Sequence, residues 1–98
     1  MTKRIFKYPL QITDEQTVEM PLEAIILCVQ IQQEEPCLWA LVDPTLPSTT
    51  RRKIRIIGTG QPIFDVDKLI YIDSIQQLGG KFMWHVFEDA PRFHAIET

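Results

Sequence analysis

The chain lacks the features that mark several classes of protein. It has no apolar run near the ~18 residues that a membrane-spanning helix needs, and its first ten residues, MTKRIFKYPL, hold no apolar stretch long enough for a signal peptide. We therefore expect a cytoplasmic protein with no membrane partner.

Cysteine and histidine are also scarce, with two of each. Cys28 and Cys37 fall in adjacent predicted strands, where they could approach one another. Buried free thiols are nevertheless the expected state in a cytoplasmic protein. Two cysteines without a nearby pair of histidines do not make a zinc site. The sequence predicts no metal site and no cofactor.

An excess of positive charge is likewise missing, because the 98 residues carry a net charge of -3. General nucleic-acid binders usually carry excess basic charge, so that class is excluded, although a local positive site is not. The length suits one domain over residues 1–98. Residues 89–98 are predicted to form a tail that is flexible or used for packing.

The dominant pattern is period-two alternation of apolar residues, which predicts strands in seven segments. Pro9 indicates an edge strand or a bulge. Residues 37–42 are apolar on both faces, which predicts a central strand or a strand covered by a second subunit. Apart from a possible helical turn near residues 73–78, no helix is expected. The chain is therefore predicted to be all-β, a small antiparallel β-sandwich or flattened barrel of six to seven strands.

The same alternation assigns faces within individual strands. Trp39 and Trp84 are predicted to lie in the core. Over residues 25–31 the predicted core face consists of Ile25, Leu27, Val29 and Ile31. A second apolar face is then expected at residues 26, 28, 38, 40 and 42, which a monomer of this size would not cover alone. This predicts a homo-oligomer.

Positive charge is concentrated in one place, the stretch RRKIRIIGTG at residues 51–60. Alternation places Arg51, Lys53 and Arg55 on one face of a strand and Ile54 and Ile56 on the other. Three cations so close together are tolerated when they are solvated, paired with acids or facing an anion.

The strand ends in Gly58, Thr59 and Gly60. The two glycines allow positive φ and close backbone approach, and exposed N–H groups in such a turn can bind an anion. The stretch is therefore a candidate phosphate-binding site. It lacks the ending of a Walker loop, and no helix follows it as a dinucleotide fingerprint requires.

A purely structural interpretation of this stretch stays open. The cations would then form a solvated or salt-bridged surface, with Asp65, Asp67 and Asp73 as the expected neutralising acids. For the binding interpretation, Tyr71 and His85 are candidates to complete the site, since aromatic side chains stack on nucleobases. We find no pattern of catalytic residues and predict that the protein is not an enzyme.

Four segments, IFKYPL, CLWALVDP, RIIGTGQPI and GGKFMWHVFE, resemble a family of small proteins common in bacteriophage and prophage genomes, whose function is unassigned. The resemblance covers about residues 4–88. It implies a compact all-β fold, a phage setting and a location in the host cytoplasm. The family's recurring loop reads Gly-Thr-Gly-His-Pro, and Gln61 stands here in place of that histidine.

The leading hypothesis is a non-enzymatic phage protein that binds a small anionic, nucleotide-like ligand and sequesters a host defence signal, by analogy with phage proteins that act as nucleotide sponges. Two alternatives remain. One is a protein–protein interaction module that inhibits a host protein, and the other is a structural or accessory phage subunit.

Overall fold

A computed structural model describes residues 2–90 and contains, within them, seven strands joined by short loops. In chain order they are β1 (Arg4–Pro9), β2 (Gln16–Met20), β3 (Ile25–Gln32), β4 (Glu35–Val42), β5 (Thr50–Gly58), β6 (Leu69–Gln77) and β7 (Phe82–Asp89). A short 3-10 turn, Val66–Lys68, leads into β6.

The strands form two antiparallel sheets, one in the order β1-β4-β3 and the other in the order β2-β5-β7-β6. The all-β prediction is confirmed, and the architecture is two open sheets that do not close into a barrel. Residues 73–78 do not form a helical turn, because β6 continues through Gln77. Most of the predicted tail, from residue 91 onwards, lies outside the described residues.

The core lies between the two sheets and is built from the inward side of each alternating strand. β4 is the central strand of its sheet, and Leu38, Ala40 and Val42 are fully buried on its inner face. Ile54 of β5 and Val86 of β7 are equally buried on the facing side. These side chains belong to one apolar cluster, which holds the sheets together.

The faces predicted for β3 are right for Val29 and Ile31, which lie on the core side, but wrong for Ile25 and Leu27, because this strand contains a bulge at Leu27. Its pairing with β4 shifts between Ile26 and Cys28, so that the alternation changes phase in mid-strand. As a result Ile26 lies on the same face as the buried Val29, whereas Ile25 and Leu27 are about half exposed.

The predicted second apolar face is also wrong, since residues 26, 38 and 40 belong to the core side. The outward face of this sheet instead carries Ile5, Leu41 and Ile25, which align across β1, β4 and β3. Trp39 lies on this outward face and is half-buried, so it is not part of the core cluster. Cys28 pairs with it, and both cysteines are free.

The connections are tight and place several residues in the left-handed region. The β3–β4 hairpin turns on Gln33 and Glu34, with φ values of 51° and 71°. Positive φ at both central residues is the conformation of a type I′ turn, whose twist matches that of the strands. Within residues 2–90, no helix has the length and apolar character needed to cross a membrane.

Candidate functional site

The basic strand β5 lies beside β2, and two glutamates in or directly before β2 pair with its cations. Arg51 pairs with Glu19 through Nε and Oε2 at 3.5 Å, and Lys53 pairs with Glu15 through Nζ and Oε2 at 3.5 Å. Both pairs are well exposed, so each contributes little to stability. The face of β5 that carries Arg51 and Lys53 is therefore a salt-bridged surface.

Acids other than those expected hold these cations. The sequence suggested aspartates downstream of β5, but the partners of Arg51 and Lys53 are Glu19 in β2 and Glu15 directly before it, because β2 is the antiparallel neighbour of β5. Asp73 has a different role, since its Oδ2 accepts hydrogen bonds from the backbone N–H of Val29 and the side chain of Gln30, both at 3.2 Å.

Arg55 is the predicted site cation that keeps its charge available. Its Nε donates to the carbonyl of Asp14 at 2.9 Å, and no carboxylate within residues 2–90 forms an ion pair with it. It lines a pocket of about 210 Å³ together with Asp14, Ile57, Gln61, Pro62 and Phe64, called here the Arg55 pocket.

The turn at residues 58–60 differs from the predicted anion-binding loop in two ways. Gly60 has a φ of 91°, but no positive φ is recorded for Gly58. Gly58 is instead required by packing, since a Cβ there would lie 3.0 Å from the ring of Trp84. The second difference is that the turn already satisfies several of its own N–H groups. Gly58 N donates to Oε1 of Gln61, and Thr59 N donates to the carbonyl of Met83 at 3.3 Å.

A chain of hydrogen bonds links Thr59, Tyr71 and His85, three residues that the sequence singled out separately. Thr59 Oγ1 lies 2.8 Å from Nε2 of His85, and Nδ1 of His85 lies 2.9 Å from Oγ of Ser74. Ser74 Oγ in turn lies 2.8 Å from the hydroxyl of Tyr71. The network ties the glycine turn to β7 and β6 and fixes the position of the Thr59 hydroxyl.

Ser74 was missed by the sequence reasoning because strict alternation puts it on the opposite face from Tyr71. The pairing of β6 with β7 shifts between Tyr71 and Asp73, and this bulge brings Ser74 opposite His85. Within residues 2–90, no carboxylate is hydrogen-bonded to His85, so the network lacks the group that stabilises an imidazolium in hydrolytic triads.

The turn also forms one wall of a cleft of about 290 Å³, called here the turn cleft. Phe82 and Trp84 form another part of the wall, with stacked rings whose centroids are 5.8 Å apart. Trp84 Nε1 donates to Oε1 of Gln77 at 2.8 Å, which fixes the indole. The remaining lining residues are Gly58, Thr59, Gln61, Lys81 and Met83.

Lys81 was not identified from the sequence, although it directly follows the glycine pair at residues 79–80 at the start of the last strand. It is exposed, and within residues 2–90 it forms no ion pair with a carboxylate. Gln61 lines both the turn cleft and the Arg55 pocket, so its side chain stands between the two free cations. No group of three or more potential metal ligands occurs in the described part of the chain.

Comparison with known proteins assigns the chain to a family. Residues 1–95 match the family described as a domain of unknown function, DUF7352, and the chain belongs to that family. No curated protein and no solved structure matches it significantly.

Proposed function

We propose that this DUF7352 protein is a non-enzymatic binding protein for a small anionic, nucleotide-like ligand that occupies the turn cleft. The observation that carries the proposal is the lining of that cleft. It combines a stacked aromatic pair, a glycine turn that allows close approach and a lysine that forms no ion pair with a carboxylate within residues 2–90. Aromatic rings bind bases by stacking, and cations bind phosphates by charge-assisted hydrogen bonds.

Gln61 gives the anion a position within this cleft. Its Oε1 accepts the backbone N–H of Gly58, which is the bond that a phosphate oxygen would accept at a glycine turn. Gln61 is exposed, so its side chain is free to move away when a ligand oxygen takes over this bond. The turn cleft and the Arg55 pocket would then join, and the ligand would reach Lys81 on one side and Arg55 on the other.

Relative to the sequence-based hypothesis, this proposal shifts the binding site from the first half of β5 to the glycine turn at its end. Arg51 and Lys53 are engaged with glutamates and are left out of the binding set. Arg55, Gly58, Thr59 and the Thr59–His85–Ser74–Tyr71 network remain, because they surround or orient the glycine turn. In the phage setting that the resemblance implies, the protein would act in the host cytoplasm by sequestering a nucleotide signal of host defence.

The test is thermal unfolding of the purified protein against a panel of cyclic and linear nucleotides, with the native mass measured alongside. A ligand at 100 times its dissociation constant adds about 2.7 kcal/mol to the free energy of unfolding. We expect one nucleotide class to produce a shift of this scale. Absence of a shift across the whole panel would overturn the proposal.

Two variants and a matched control locate the site. Lys81→Ala and Arg55→Ala should each weaken binding about tenfold or more, since each removes a charge-assisted contact. Arg51→Ala removes a cation of the same strand that is already paired with Glu19, so it should leave binding unchanged. Equal losses in all three variants would indicate general charge attraction and contradict a defined site.

A further inference from the structure

A second cleft lies where β3 and β6, the edge strands of the two sheets, come together. Its volume is about 330 Å³, and it is lined by residues 24–27, 70–72, Arg52 and Glu88. We call it the seam cleft. It shares no lining residue with the turn cleft, although Tyr71 on its rim also belongs to the hydrogen-bond network that reaches Thr59.

The rims of the seam cleft are apolar and exposed. Ile25 and Leu27 on one rim and Ile70 and Tyr71 on the other are between 46% and 58% exposed. Large apolar side chains clustered in this way around a cleft mark an interaction site. The two strand bulges lie in these same segments, and bulges commonly redirect side chains at functional sites.

The floor of the cleft is an ion pair between Arg52 of β5 and Glu88 of β7, neighbouring strands of one sheet. Nε and Nη2 of Arg52 donate to the two carboxylate oxygens of Glu88, the second at 3.0 Å, and Nη1 donates to the carbonyl of Ala24 at 2.8 Å. The side chains of Arg52 and Glu88 are 19% and 12% exposed. They are therefore mostly buried but can be reached from the cleft.

This pair has hydrogen-bonding capacity left over. A guanidinium has five N–H groups, and three of them are used here, which leaves one on each Nη nitrogen. Each Glu88 oxygen accepts one of these bonds and keeps a further lone pair. The floor therefore offers donors and acceptors side by side, with no net charge.

We propose that the seam cleft binds an extended apolar peptide segment of a partner protein through one of its backbone amides. The amide C=O would accept from Arg52 and its N–H would donate to Glu88, while the flanking apolar side chains would pack on the two rims. A secondary amide is uncharged and carries one donor and one acceptor, which match the free acceptor on Glu88 and the free donor on Arg52.

Charged ligands fit this floor poorly. A carboxylate that approached Arg52 would also meet Glu88, and an ammonium group would meet Arg52, because the two side chains share the same floor. Either charge would lose hydration among apolar rims without a free counter-charge to compensate it. A purely apolar ligand would displace water from the free N–H groups of Arg52 and the free lone pairs of Glu88 without replacing its hydrogen bonds. The neutral amide with apolar flanks avoids both penalties.

The test is a titration of the isotope-labelled protein with the capped tripeptide acetyl-Val-Leu-Val-amide, followed by amide NMR shifts. We expect saturable shifts centred on residues 24–27 and 70–72. The matched ligand is the same peptide with its central amide replaced by an ester. The ester peptide lacks one N–H and should bind about tenfold more weakly if that amide occupies the floor. The same replacement is made in turn at each of the three secondary amides. If all three ester peptides bind as well as the parent peptide, the proposal is overturned.

Three variants separate the site from a general apolar effect. Leu27→Asp on the rim should abolish the shifts, whereas Ile5→Asp, the same kind of change at an exposed apolar residue on the outward face of the β1-β4-β3 sheet, should not. The double variant Arg52→Met/Glu88→Leu replaces the ion pair by apolar side chains of similar volume and should lose binding as well. The amide spectrum of the double variant shows whether it folds. If the double variant does not fold, Leu27→Asp alone provides the test.

Three further results would overturn the proposal. The first is the absence of shifts at millimolar peptide, and the second is shifts that survive Leu27→Asp. The third is a concentration-dependent increase in mass without peptide that Leu27→Asp abolishes, since this would show that a second copy of the chain occupies the cleft.

Discussion

Replacing Arg52 by methionine removes one partner of the mostly buried ion pair between β5 and β7 and leaves Glu88 without its cation. The carbonyl of Ala24 also loses its donor. Breaking a buried pair from one side costs about 3–5 kcal/mol of unfolding free energy. We expect Arg52→Met and Glu88→Leu each to cost about this amount, which is a large share of the stability of a small domain.

The double variant Arg52→Met/Glu88→Leu should be much more stable than the sum of these losses implies. Removing both charges leaves no uncompensated ion, and apolar side chains of similar volume often replace a buried pair at little cost. The unpaired Ala24 carbonyl is the main remaining penalty, at about 1–3 kcal/mol. The double-mutant cycle should therefore give a coupling energy above about 2 kcal/mol.

The assay is urea unfolding of the four proteins, followed by tryptophan fluorescence. A parallel cycle on Lys53 and Glu15, which are 45% and 53% exposed, serves as the matched control. That pair should give less than about 1 kcal/mol of coupling. Additive losses at Arg52 and Glu88, or equal couplings in the two cycles, would refute the view that burial makes this pair strong.

Three further predictions concern single features of the fold. Gln33→Asn combined with Glu34→Gly suits the two positive φ values of the β3–β4 turn and should add about 1 kcal/mol, seen as a rise in Tm of about 4–8 °C; an unchanged Tm would argue against strain in that turn. Gly58→Ala places a Cβ 3.0 Å from the ring of Trp84 and should cost about 1–3 kcal/mol in urea unfolding, whereas a silent change would show that the indole shifts freely. Burial raises the pKa of the Tyr8 phenol above 10.0, so the unfolded chain ionises first and the unfolding free energy should fall as the pH rises above about 10. Tyr8→Phe should reduce that alkaline loss when both proteins are unfolded between neutral and alkaline pH, and identical pH profiles would contradict the prediction.

Alternation was sufficient to predict the strands, because each strand has one face toward a single apolar core. The two-sided apolar pattern of β4 also predicted its central position correctly. Alternation failed at Leu27, since a bulge adds one residue without any change in composition, so that Ile25 before it lies on the opposite face from Val29 and Ile31 beyond it. Arg52 illustrates a related limit, because its inward position is explained only by Glu88, which lies 36 residues further along the chain.

The candidate site was also predictable only in part, because contacts between strands cannot be seen in the sequence. Thr59, Tyr71 and His85 were chosen individually for their chemistry, but their hydrogen-bonded connection depends on Ser74 and on the bulge in β6. Lys81 was overlooked because it stands alone, whereas the cluster in β5 attracted attention. The number of basic residues in a segment does not reveal which of them are neutralised by a neighbouring strand.

The order of strands in the two sheets has a consequence for how the chain folds during its synthesis. The β1-β4-β3 sheet is complete in sequence once Val42 has been made, but β7 lies between β5 and β6 in the other sheet and ends at Asp89. At about 5–20 residues per second, the intervening 47 residues take about 2–10 seconds to synthesise. For that interval the inner face of the first sheet, with Leu38, Ala40 and Val42, has no complete sheet to pack against. We therefore expect the nascent chain to expose its future core until the last strand emerges, and the folded domain to form only after that.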